Sequence, residues 1–93
     1  MNIRLTHWRI VRHACGTNHL NGRVENTTRG RISSPVVKFD AARRLATTWS
    51  GNTYKLVGPP ANSDQAADYV LDHWLRQQRA TSADITFIPM EDL

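Results

Sequence analysis

Only one stretch of the chain, DQAADYVLDHWLRQQR (residues 64–79), repeats its apolar side chains at helical spacing. Ala66, Ala67, Val70, Leu71, Trp74, Leu75 and Gln78 fall one, three and four residues apart, which places them on a single stripe of a helix surface. A lone amphipathic helix cannot bury its own stripe, so the rest of the chain must supply the surface it packs on. GPPANSD (58–64) marks the entry: Pro59 and Pro60 stiffen the link, and Ser63 is placed to cap a helix with Asp64 in its first turn. The spacing predicts a helix over about residues 63–80, with Asp72 and Arg76 forming an exposed pair four residues apart.

Everything before the two prolines reads as strand. In IRLTHWRIVR (3–12) Trp8 and Ile10 share one face, with Arg9 and Val11 on the other. ACGTNHLNG (14–22) is rich in Gly, Asn and Thr and reads as a loop. RVENT (23–27) is a short second strand, and RISSPVVKFD (31–40) a third, with Pro35 restricted to an edge or a bulge. RRLATTWS (43–50) and NTYKLV (52–57) flank Ser50–Gly51–Asn52, the clearest hairpin signal in the chain. ITFIP (85–89) reads as a final strand returning to the sheet. The expected fold is α+β: a small, curled, largely antiparallel sheet or SH3-like barrel, then one helix and a short last strand.

Ninety-three residues suffice for one domain, expected to span 1–93, with a basic sheet to residue 58 and an acidic helix and strand from 59. The single cysteine, Cys15, excludes an internal disulfide framework and suits a reducing compartment. No apolar run approaches the roughly 20 residues of a membrane span, and arginines interrupt the N-terminus, so a cytoplasmic protein is expected. Charge is unevenly divided. Residues 1–58 hold ten basic side chains against Glu25 and Asp40, a formal +8, whereas residues 59–93 hold two against six, a formal −4. Such a split points the first segment at an anionic surface, at the second segment, or at both.

HWRIVRHACGTNHL (7–20) gathers three of the four histidines and the cysteine. The residue types suit tetrahedral zinc, but His7, His13, Cys15 and His19 contain no C-x2-C knuckle and no helical histidine pair. On a straight strand His7 and His13 lie about 20 Å apart at roughly 3.3 Å per residue. A three-ligand site from His13, Cys15 and His19 is the only feasible version, and the loop-imidazole reading is preferred; neither metal nor cofactor is expected. Cys15, Ser33 and Ser34 lie in no nucleophile motif, and Asp68, Asp72 and His73 read as a solvated helix face, so no catalytic residue is expected. Trp8, Trp49 and Trp74 are most economically core residues, with a stacking surface as the alternative.

The arginines carry what remains. Arg29 and Arg31 flank Gly30 in a turn, Arg43 and Arg44 enter the next strand, and Lys55 lies beyond the hairpin. These five are the candidate binding residues, because loop and strand-end guanidinium groups are free to reach phosphate or carboxylate. Arg9 and Arg12, within a strand, are expected to solvate one face. Pairing of the basic surface with Asp64, Asp68 and Asp72 is the internal alternative.

TTRGRISSPVVKFDAARRLATTWSGNTYKL (27–56), with the strand before it, resembles small proteins of tailed bacteriophages and prophages. The matching positions are Trp8, Ile10 and His13; Ser33, Ser34, Val36, Val37 and Asp40; and Thr48, Ser50, Gly51, Tyr54 and Leu56. The likeness covers the first 58 residues, and the helix and ITFIP look like an addition. It implies a non-catalytic accessory protein in a bacterial host cell that binds and modulates or inhibits a host protein or nucleoprotein machine, as anti-CRISPR and other anti-defence proteins do. A nucleic-acid-binding barrel using surface arginines is the alternative.

Overall fold

A computed structural model describes residues 1–93. The strands are β1 (Asn2–His13), β2 (Asn18–Val24), β3 (Gly30–Ile32), β4 (Val36–Asp40), β5 (Leu45–Thr48), β6 (Thr53–Leu56) and β7 (Ile85–Ile88). One helix, α1 (Gln65–Gln77), separates β6 from β7, and single 3-10 turns occupy Ser82–Asp84 and Met90–Asp92. No helix is long and apolar enough to cross a membrane.

β1 is the spine. One of its edges pairs antiparallel with β2, and the other is shared, with β6 parallel to residues 2–5 and β7 antiparallel to residues 10–13. Between those two neighbours the register with β2 shifts, and His7 adopts a left-handed φ of 47°. The extra residue reverses the alternation of the strand. Ile3 and Leu5 before the bulge, and Trp8 and Ile10 after it, consequently all join the same buried cluster. Leu20, Ala46, Tyr54 and Leu56 complete that cluster from β2, β5 and β6, and Ile88, Met90 and Leu93 pack against it from the end of the chain.

The sheet order is β3-β2-β1-β6-β5-β4, with β7 added on β1. Its two outermost strands, β3 and β4, are consecutive in the chain and are joined only by Ser33–Pro35. Three residues reach about 11 Å at full extension. The sheet therefore curls until its edges meet at this link, which Ser33 N bonds to Leu20 O and Trp49 N bonds to Pro35 O. The curl agrees with the expected architecture, but the sheet is mixed, because β1 and β6 run parallel.

α1 lies on the outer face of β2 and β3, where Leu71 and Leu75 bury against Val11, with Ile32, Trp74 and Ile85 around them. Beyond the bulge β1 is thus buried on both faces, Ile10 inward and Val11 under the helix. Asp64, not Ser63, caps the helix: its backbone is extended and its side chain accepts from Ala67 N–H.

Two strand boundaries differ from expectation for physical reasons. β2 begins at Asn18, inside the segment read as a loop, because Asn21 and Gly22 serve packing and not a turn. Asn21 Nδ2 donates to the carbonyls of Arg31 and Ala67, tying β2 to β3 and to the helix. Gly22 sits where a Cβ would lie 2.8 Å from both Leu5 Cγ and Thr6 O. The strand read as 31–40 is two strands, broken at Ser33–Pro35, the link that closes the curl. Nor do the three tryptophans share one core: Trp8 is buried and Trp74 half-buried, but Trp49, at the β5–β6 turn, is 78% exposed.

Candidate interaction surface

The helix covers β2, β3 and the second half of β1, and leaves the outer face of residues 2–5 of β1, of β6, of β5 and of β4 open. Directly paired residues share a face. The pairings Arg4–Lys55, Lys55–Leu45 and Leu45–Asp40 make one row across the four strands, and Asn2–Thr53, Thr53–Thr47 and Thr47–Lys38 make a second. None of these side chains is buried. Their strand neighbours Ile3, Tyr54 and Ala46 point the other way, into the core, so the alternation that builds the core also builds this polar face.

Of the five basic residues singled out in the sequence, the structure brings three together beside it. Lys55 Nζ donates to the carbonyl of Arg43. The Arg43 guanidinium stands 3.9 Å from the Asp40 carboxylate, a loose contact that leaves most of its donors to solvent. Arg44, in a left-handed turn conformation, folds back over the Trp8 ring at 5.5 Å from its centre and donates from Nη1 to Gly58 O at 3.0 Å. The other two lie elsewhere. Arg29 is exposed just before β3, near the start of the helix, in a shallow groove with Tyr69. Arg31 is not in a turn: it lies in β3 and reaches Tyr54 in the inner cluster, donating from Nε to the hydroxyl at 2.9 Å. Sequence reasoning missed Arg4 and Lys38, although their outward register is legible in the alternation of NIRL and, after one bulged residue, of VVKFD. It also missed the exposure of Trp49 at the end of the face.

Part of the charge split is satisfied internally, by different arginines. Arg9 does not solvate a face. Its Nε donates to Asn21, Nη1 to Asn62 O and Nη2 to Asp68, and its side chain is only 10% exposed. Arg23 holds Asp64 at 2.8 Å. Burial alone pushes the Asp64 carboxyl up, but the Ala67 N–H and the Arg23 guanidinium outweigh it and hold the group below its ordinary value. Arg4 pairs with Glu25 at 2.6 Å, and Asp72 with Arg76 at 2.8 Å as expected. The helix carboxylates thus take up Arg9 and Arg23, and leave Lys38, Arg43, Arg44 and Lys55 without a close carboxylate.

His13, Cys15 and His19 line one pocket of about 370 Å³ with Trp74, yet His19 is not a loop imidazole. It is buried in β2, its Nδ1 facing Ser33 O at 2.9 Å and its Nε2 facing the Thr17 hydroxyl at 2.8 Å. Facing a carbonyl, Nδ1 must carry the proton, so Nε2 accepts from Thr17. Burial holds this imidazole below its ordinary pKa, with the nearby His13 adding to the effect. His13 Nδ1 accepts from Cys15 N–H, and no three His, Cys, Asp or Glu side chains converge as a metal-ligand set. No family model, curated protein or solved structure matches the chain.

Proposed function

We propose that the protein is a non-catalytic interaction protein that binds an acidic surface of a larger host assembly in the cytoplasm and so modulates or inhibits it. One observation carries this reading: Lys38, Arg43, Arg44 and Lys55, four of the cations left without a close carboxylate partner, cluster on and beside the one sheet face that no other element covers. A face fixed by four paired strands presents Lys38 and Lys55, and Arg43 beside them, with little reorganisation, which favours fast, charge-steered docking. The resemblance of residues 1–58 to phage accessory proteins supplies the context of a host target. A second reading, direct nucleic-acid binding by the same face, is favoured by Trp49, whose exposed ring at the hairpin tip suits base stacking.

The test is a double charge reversal, Lys38→Glu with Lys55→Glu, at positions whose side chains make no carboxylate contact. The expected result is a cooperative fold whose melting temperature falls by no more than the loss of the exposed Lys55–Arg43 hydrogen bond, and a loss of about tenfold or more in affinity for the host assembly recovered with the wild-type protein. Binding to random-sequence single-stranded DNA or RNA that falls steeply with salt instead supports the second reading. Full-strength binding by the reversed variant refutes both.

A further inference from the structure

Where β1 changes neighbours, from β6 to β7, a cleft of about 380 Å³ opens beside Arg44. Its floor is apolar, built from Trp8, Pro60, Ala61, Ile88 and Met90, and Phe87 stands in one wall with Arg9 stacked 4.5 Å from its ring centre. The two arginines of the cleft differ in what they have left to offer. All three nitrogens of Arg9 are engaged within the protein, and Asp68 neutralises it. Arg44 is held by one nitrogen only. Gly58 O accepts from Arg44 Nη1 and also from Trp8 Nε1, both at 3.0 Å, so a single carbonyl fixes the guanidinium over the indole. Arg44 Nε and Nη2 take no acceptor. Those two N–H groups form the side-on fork that matches a carboxylate in a bidentate pair.

We infer that this cleft is the anchor point for a protein partner, taking an acidic–apolar peptide segment whose carboxylate sits on the Arg44 fork and whose neighbouring apolar side chain fills the floor. The inference rests on the interaction reading above and names the partner's chemistry. The volume lies near the lower end of the roughly 300–1,000 Å³ of small-ligand sites, room for an anchoring side chain. The planar Arg44 fork meets the two oxygens of a carboxylate side by side, and Glu91, which also lines the cleft, weakens the hold on any anion seated there. An aromatic floor with a clamped arginine is the composition of an interface hot spot, and Arg44 adjoins Arg43, so the cleft continues the basic face.

The test uses the full chain, labelled with nitrogen-15, and four probes: acetyl-Asp-Phe-amide, acetyl-Asn-Phe-amide, acetyl-Asp-Ala-amide and pentathymidylate. The Asp-Phe peptide should shift the Trp8 indole N–H and the Phe87 and Met90 amides saturably, and the two peptide controls should bind weaker by about tenfold or more. Arg44→Lys keeps the charge and loses the fork, and should weaken the Asp-Phe peptide to the level of the Asn-Phe control. Should that variant fold poorly, exposed Glu91→Gln remains: it should tighten the Asp-Phe peptide and leave the Asn-Phe control unchanged, and an equal effect on both would overturn the placement of the carboxylate in the cleft. Absence of saturable shifts in the cleft, or shifts with pentathymidylate alone, overturns the inference. A silent cleft combined with loss of partner binding in the Lys38→Glu, Lys55→Glu variant defeats this inference and leaves the basic-face reading standing. Peptide binding combined with full-strength partner binding in that variant does the reverse.

Discussion

Thr17 has one hydroxyl proton and two neighbours that can use it: His19 Nε2 at 2.8 Å and Cys15 Sγ at 3.3 Å. While Cys15 is a thiol the arrangement closes without conflict, S–H to Oγ and O–H to Nε2. Once Cys15 ionises, the thiolate competes with a buried, neutral imidazole for that proton. Thr17, through its hydroxyl and its backbone N–H, and then His13, draw the exposed Cys15 thiol down to about 7. Since the thiolate is the nucleophile, alkylation by iodoacetamide should reach half its maximal rate near that pH. In Thr17→Val the midpoint should move up towards the ordinary value of about 8.5, and an unmoved midpoint would assign the effect to the residue-17 backbone N–H and His13. Asp64 gives a second prediction of this kind. Its folded pKa is depressed, so its charge contributes stability in full above the unfolded value of about 3.9, and that contribution is lost as pH falls through the folded value. Asparagine keeps the capping oxygen without the charge. The gap in melting temperature between wild type and Asp64→Asn should therefore be present at pH 6 and close on acidification to about pH 2. A gap independent of pH would mean that Arg23 recognises the shape of the side chain and not its charge.

At the scale of elements, the helix reaches the sheet across glycine. A Cβ on Gly30 would lie 2.0 Å from Ala66 O and 2.4 Å from its carbonyl carbon, both backbone atoms of the first helical turn. Neither can yield without moving the helix. Gly30→Ala should accordingly destabilise the fold by about 1–3 kcal/mol or more, read from the midpoint of urea unfolding. Gly16→Ala, where a Cβ meets nothing within 4 Å but φ is +98°, serves as the comparison for backbone strain alone. If Gly30→Ala costs no more than Gly16→Ala, the helix does not sit on β3 as described. This dependence on close approach explains which elements were legible. The helix and the Ser50–Gly51–Asn52 hairpin announce themselves through local periodicity and turn chemistry. The start of β2 does not, because Asn21 and Gly22 carry a turn's composition for reasons that lie far along the chain, at Ala67 for Asn21 and at Leu5 and Thr6 for Gly22. The parallel pairing of β1 with β6 is equally silent, since a strand's sequence does not say which neighbour it meets on either side of the bulge at His7.

For the whole molecule, the charge split was legible in the sequence but its partition was not. Arginines at strand positions 9 and 23 turned out to serve the helix, and the cleft at Arg44 draws on four separated segments that no local pattern connects. The same long-range wiring bears on whether residues 59–93 are an addition to a self-sufficient sheet. They supply β7, which pairs with β1 from Ile10 to His13, and the residues Ile88, Met90 and Leu93 that pack on the inner cluster. They also cover Val11 and Ile32 with Leu71 and Leu75, and provide the carboxylates for Arg9 and Arg23. Without them β1 would keep a free edge over its second half and show apolar side chains on its outer face. Asn21 would lose the Ala67 carbonyl and Arg9 its carboxylate. A sheet of about 58 residues is already near the lower limit at which a chain buries enough surface to fold alone. Residues 1–58 expressed by themselves should therefore give a poorly dispersed amide spectrum and no cooperative thermal transition, whereas the full chain gives both dispersion and a single transition. A dispersed spectrum with cooperative melting from residues 1–58 would show that the inner cluster closes without β7, and that the helix is an appendage held on by Arg9 and Arg23.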